Sequence, residues 1–115
     1  MKHTVALNRN GMFQRLYSKG TSSSDKNIVV YFLPNRQKIN RLGITVRKKT
    51  GSAVLRNRVK RLIKESYRLN EKSIKAGYDI VIVARRNIVN ASYWDVESSL
   101  VKLMDKLGLL VNEDE

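Results

Sequence analysis

Apolar residues recur along the chain in two rhythms, one with the period of a helix and one uninterrupted. Phe13, Leu16 and Tyr17 stand at i, i+3 and i+4, the spacing that lines one side of a helix. Asn8 or Asn10 can cap its start and Gly20 can stop it, with Gly11 weakening the first turn. Over residues 52–69, Leu55, Val59, Leu62, Ile63 and Leu69 gather on one face at about 100° per residue, and Ser52 offers an N-cap. A third helix begins near Ser92, carries Trp94, Val96, Leu100, Leu103, Met104 and Leu107, and stops at Gly108.

The uninterrupted runs predict strands. Residues 28–33 are β-branched and aromatic and end at Pro34; residues 42–46 form a second run, joined to the first by the polar, basic stretch 35–41. This predicts an antiparallel hairpin with a mobile loop. Residues 79–84, flanked by Gly77 and by Arg85-Arg86, read as a strand buried deep in a sheet. A further short strand fits residues 20–26. The order helix, strand, strand, helix, strand, helix predicts an α+β class with a small sheet carrying its helices on one face.

Composition narrows the class. With 115 residues, 42% of them apolar, and no repeat or linker, one domain over 1–115 is expected, with residues 1–6 and 109–115 flexible. No apolar run approaches the roughly 18–20 residues that span a bilayer, and no long apolar secretory stretch opens the chain; a soluble, cytoplasmic protein is expected. The absence of cysteine excludes disulfides, thiolate metal sites and cysteine nucleophiles. His3, the lone histidine, provides no ligand cluster.

Charge changes the picture most. Lys and Arg number 23 against 10 Asp and Glu, a net +13. Six carboxylates and two lysines from Asp95 onward leave −4 there and +17 on residues 1–94. An excess of this size repels itself, and a polyanion relieves it, nucleic acid foremost. Nine of the 23 cations fall between Arg47 and Arg68, with Glu65 the only acid among them. Helical advance groups Asn57, Lys60, Arg61, Lys64 and Arg68 opposite the Val59/Leu62/Ile63 face, with Arg56 and Arg58 on the borders. Such a stripe presents forked Arg donors and Lys point charges to successive phosphates, and Asn57 adds hydrogen bonds. A solvated charged face is the ordinary meaning of a helical charge run. Here acids for i,i+4 pairing are nearly missing, and like charges four apart destabilise the helix, which favours an external polyanion.

Other chemistry is sparse. Gly51 and Ser52 lead into a helix N-terminus, which fits simple capping or an RNA phosphate; the Walker spacing is absent. Outside the acidic end the carboxylates are Asp25, Glu65, Glu71 and Asp79, with no spacing suited to paired acid–base work, and one histidine builds no triad or metal cluster. Phe13, Tyr17 and Tyr31 fit core packing or stacking on unpaired bases. Tyr67, Tyr78, Tyr93, Phe32 and Trp94 read as packing.

The run Lys49-Thr-Gly-Ser-Ala-Val-Leu-Arg56-Asn57-Arg58-Val-Lys60-Arg61-Leu-Ile-Lys64-Glu65-Ser-Tyr67-Arg68 resembles the signature of the protein subunit of bacterial ribonuclease P. Phe13-Gln-Arg-Leu-Tyr-Ser-Lys-Gly20, Leu42-Gly-Ile-Thr-Val-Arg47-Lys48 and Gly77-Tyr-Asp-Ile-Val-Ile-Val-Ala-Arg85 match the family in order and spacing. The resemblance implies a three-layer fold like the second domain of ribosomal protein S5, with a left-handed βαβ crossover. It implies an endoribonuclease holoenzyme in which a catalytic RNA removes the 5′ leader from precursor tRNA. In it Mg²⁺ is held mainly by RNA, and the protein contributes no catalytic or metal-binding residue.

By position, Lys48, Lys49, Arg56, Asn57, Arg58, Lys60, Arg61, Lys64 and Arg68 would face ribonuclease P RNA. Phe13, Arg15, Tyr17, Tyr31, Arg47 and Arg85 would receive the single-stranded leader. The implied partners are that RNA and precursor tRNA, with no membrane and no obligatory protein partner; the protein would favour precursor over product and lower the Mg²⁺ requirement. Two features depart from the family pattern: Ser52 replaces a common basic or amide residue, and the chain ends acidic, as a disordered tail facing away from RNA would. A structural RNA-binding protein, a basic peripheral membrane protein and a self-sufficient nuclease are the competing readings.

Overall fold

Asp79 is followed by five apolar residues with no polar alternation, and a strand of that kind needs cover on both faces. In the structure, a computed structural model that describes residues 1–111, this segment is the middle strand of a five-stranded mixed sheet. The strands are β1 (Thr4–Ala6), β2 (Thr21–Ser24), β3 (Ile28–Pro34), β4 (Asn40–Thr45) and β5 (Tyr78–Ala84), and the helices α1 (Asn10–Lys19), α2 (Ala53–Asn70) and α3 (Tyr93–Lys106). Across the sheet the order is β1-β4-β5-β3-β2. The α+β class holds.

The predicted hairpin does not form. β5 inserts between its two strands, antiparallel to β3 with Val30 opposite Ile82, and parallel to β4 with Leu42 opposite Ile80. The most apolar strand thereby gains a partner on each edge. The 35–39 connection crosses the start of β5, where the Asn35 N–H donates to the Gly77 carbonyl at 2.9 Å and its side-chain amide donates to Ile39 O and Asp79 Oδ1. The short strand expected near residues 20–26 is β2, antiparallel to β3.

Period-two alternation sorts the core into two layers. Ile28, Val30, Ile80, Ile82 and Ala84 pack with Val59, Ile63 and Tyr67 of α2 and Val96, Leu100, Leu103 and Met104 of α3. Val81 and Val83 pack on the opposite face with Leu7 and Leu16, joined by half-buried Phe13, Tyr17, Val29 and Tyr31. The helices therefore cover both faces, α1 on one and α2 with α3 on the other, which corrects the one-face expectation. α2 links parallel neighbours β4 and β5.

Other corrections are local. Arg9, not an asparagine, stands at the α1 N-cap and makes no side-chain cap bond. Leu69 is 51% and Trp94 72% exposed, so neither joins the core. Thr4–Ala6, expected to be flexible, pairs in parallel with β4 and is followed by buried Leu7. Glu71, itself buried, accepts from the Lys2 N–H at 2.7 Å, which ties the start of the chain to the end of α2. At the other end Gly108 takes the left-handed conformation (φ 74°) that stops α3. Leu109 is buried, Leu110 bridges to Ile74 and the Val111 N–H donates to the Ser73 carbonyl at 2.7 Å, against the flexible end expected from residue 109; residues 112–115 of the expected RNA-averted tail lie outside the described residues.

Candidate nucleic-acid interface

α2 starts where Ser52 Oγ accepts the Leu55 N–H at 3.2 Å, so Ser52 is a helix cap. With Val59, Ile63, Ser66 and Tyr67 turned inward, Asn57, Arg58, Lys60, Arg61, Lys64 and Arg68 are exposed together, and Arg56 is half-buried beside them. Lys48 and Lys49 are exposed on the 3-10 turn Lys48–Thr50 that leads into the helix. Among the described residues one ion pair touches this stripe, Arg68 with Glu65. It is a two-point pair: Arg68 Nε donates to Glu65 Oε2 at 3.1 Å and Nη2 donates to Oε1. The guanidinium's hydrogen bonds and charge hold the Glu65 carboxyl below the usual range. Arg68 thus has an internal partner, whereas the other cations of the stripe present their charge to solvent.

On the α1 side, three rings form a row. Phe13 and Tyr17 lie 6.4 Å apart and Tyr17 meets Tyr31 edge-on at 5.4 Å. Tyr17 is fixed by a 2.7 Å hydrogen bond between its hydroxyl and Thr45 Oγ1. Phe13 sits directly over Gly43, where a Cβ would come within 2.5 Å of the ring. Beyond Tyr31 opens a groove of about 540 Å³ lined by Tyr31, Val29, Arg47, Lys49, Thr50, Val83, Ala84, Arg85 and Arg86. Four of these nine are cations and none is a carboxylate.

This geometry brings Tyr31, Arg47 and Arg85 together and adds Tyr17 through ring contact. It leaves Phe13 at the far end of the aromatic row, where it lines a separate hollow with Leu7 and Gly43. Arg15 stands apart, in a hollow with Arg36, Arg41 and Asp79, where Arg41 Nε pairs with Asp79 Oδ1 at 2.7 Å. Lys49, expected to face the RNA subunit with the α2 cations, lines the Tyr31 groove from the turn that leads into α2. Arg86 and Thr50 are members of the groove that the sequence does not single out. Arg86 stands out there only as half of the Arg85-Arg86 pair that ends a strand, and Thr50 carries no signal.

Half-buried aromatic faces beside cations suit unpaired bases with their phosphates. Among the described residues no three His, Cys, Asp or Glu side chains converge.

Fold and site together define a small basic α+β domain with cations gathered on α2 and around Tyr31. The family model described as Ribonuclease P matches residues 1–108, and the chain belongs to that family. It is 46% identical over 110 residues, 96% of each chain, to the ribonuclease P protein component of Alkaliphilus oremlandii. It is 49% identical to that of Clostridium botulinum strain 657, over 90% of this chain and 94% of the relative. Among solved structures, the Staphylococcus aureus RNase P protein superposes with a TM-score of 0.84 at 34% identity, covering 92% of this chain and 97% of that one. The Thermotoga maritima protein gives 0.81 at 31%, covering 89% and 96%.

Proposed function

We propose that this chain is the protein subunit of a cytoplasmic ribonucleoprotein that removes 5′ leaders from precursor tRNA, with the reaction centre and its Mg²⁺ in the RNA. The observation that carries this reading is the Tyr31 groove, cationic and free of lining carboxylates, with one of its cations, Lys49, on the turn that leads into α2. On the stripe, Arg58, Lys60, Arg61 and Lys64 neutralise phosphates of the RNA subunit, and Asn57 adds hydrogen bonds. In the groove, a leader base lies on Tyr31 while Arg47, Lys49, Arg85 and Arg86 meet the adjoining phosphates.

Contact with the leader favours precursor over product, because the product no longer carries it. Neutralised phosphates also reduce the repulsion that Mg²⁺ otherwise relieves, so less Mg²⁺ is required. The scattered carboxylates support assigning catalysis to RNA. The test is single-turnover cleavage of a leader-bearing precursor tRNA at low Mg²⁺ by protein alone, ribonuclease P RNA alone, and both. Full rate only in the mixture is expected. Cleavage by protein alone would make it a self-sufficient nuclease, and binding without rescue would make it a structural RNA-binding protein.

A further inference from the structure

A second groove, between α2 and α3, shares Arg58, Arg61 and Lys64 with the stripe and adds Leu62 and Tyr93, to which that reading gives no part. It encloses about 440 Å³ and is lined by Arg58, Arg61, Leu62, Lys64, Glu65, Arg68 and Tyr93, within the roughly 300–1,000 Å³ typical of small-ligand sites. Its apolar surface comes from Leu62 and the Tyr93 ring. That ring is held in place, since the Tyr93 hydroxyl donates to Glu97 Oε2 at 2.8 Å and the Asn70 amide donates to the same oxygen. Trp94, the only tryptophan of the chain, meets Tyr93 edge-on at 5.1 Å and is 72% exposed. An indole left in water against the edge of a fixed phenol ring, which itself lines a groove with arginines, offers an open aromatic face beside cations.

We propose that this α2–α3 groove takes one unpaired base of the RNA bound by α2, stacked on the Tyr93 ring with its edge against the neighbouring Trp94, and with the flanking phosphates on Arg58 and Arg61. Glu65 decides what enters. Its carboxylate, already paired with Arg68, repels a phosphate inside the groove but accepts hydrogen bonds from the N–H edge of a base. The charge pattern therefore places the base within and the phosphates at the arginine lip. The inference rests on the reading of α2 as the RNA-binding helix.

The experiment is titration of the full chain with the ribonuclease P RNA of the same organism, without tRNA, following Trp94 fluorescence and affinity across a salt series. Stacking predicts quenching on binding. Trp94→Ala is expected to weaken binding about fivefold or more, the lower end of base-stacking effects, with an unchanged salt slope because the variant keeps every cation; Trp94→Phe should restore most of the affinity. Base-specific chemical probing should show one unpaired base protected by the native chain and reactive with Trp94→Ala. Because Trp94 is exposed, the thermal midpoint of the variant should stay near that of the native chain.

Unchanged fluorescence and unchanged Trp94→Ala affinity, with Lys60→Ala plus Arg61→Ala still weakening binding and flattening the salt slope, would overturn the groove assignment alone. If the Lys60/Arg61 variant also binds like the native chain, the reading of α2 itself fails.

Discussion

Asn40 shows how much one polar side chain holds together. It is fully buried; its amide donates to Lys75 O at 2.9 Å and to Tyr67 Oη at 3.3 Å, and its carbonyl accepts the Tyr78 N–H at 2.9 Å. It thus fastens the first residue of β4 to the first residue of β5 and to α2. Asn40→Ala strands a backbone N–H and a carbonyl, and a loss of about 1–3 kcal/mol is expected in urea unfolding. Two carboxylates carry a pH signature. Burial pushes Asp25 and Glu71 up, but hydrogen bonds outweigh it: Ser99, the Asn27 and Ile28 N–H groups and Lys102 act on Asp25, and Thr4 with the Lys2 and His3 N–H groups acts on Glu71. Both end below their ordinary values. A depressed folded-state pKa gives stability that is complete above the unfolded value and fades as pH falls through the folded one. Stability should therefore decline below about pH 4.5, and Glu71→Gln should shrink that decline in melts taken from pH 7 to pH 3.

At the scale of the element, α2 carries two faces with different duties. Val59, Ile63 and Tyr67 anchor it, so cations on the other face can be removed with little harm to folding. Arg58→Ala plus Arg61→Ala should weaken binding to ribonuclease P RNA and lower the salt slope by about 1 for each phosphate no longer neutralised; an unchanged slope would take the helix out of the interface. Arg68→Ala should matter less than either, since its guanidinium is already engaged by Glu65. The starts of α2 and α3 followed from period together with the capping serines Ser52 and Ser92, whereas α1, capped by no side chain, followed from period alone. Trp94 did not follow, because an aromatic in a helical pattern counts as apolar whichever way it points. It falls on the side of α3 away from Val96 and Leu100, where only solvent or a partner meets it.

At the scale of the molecule, the sheet separates two surfaces, and Lys49 lines one of them from the turn that leads into the helix bearing the other. Tyr31→Ala should lower the preference for leader-bearing over leaderless precursor by about fivefold or more, read as the ratio of the two dissociation constants of the holoenzyme. An equal loss on both substrates would indicate damage to the fold instead. The sequence by itself determined the helices, the central strands, the α+β class and the basic stripe, because period, capping and charge density are local properties. It also held a clue to cover on both faces, in the unalternating runs at 28–33 and 79–84. Only the tertiary structure decided that β5 separates β3 from β4, because strand neighbours depend on which pairing buries the most apolar surface. The same holds for the grouping of Tyr31 with Arg47 and Arg85 while Arg15 stands elsewhere, and for Tyr93 beside the arginines of α2. Those residues are distant along the chain, and only the packing of α1 and α3 against the sheet and α2 determines which of them meet.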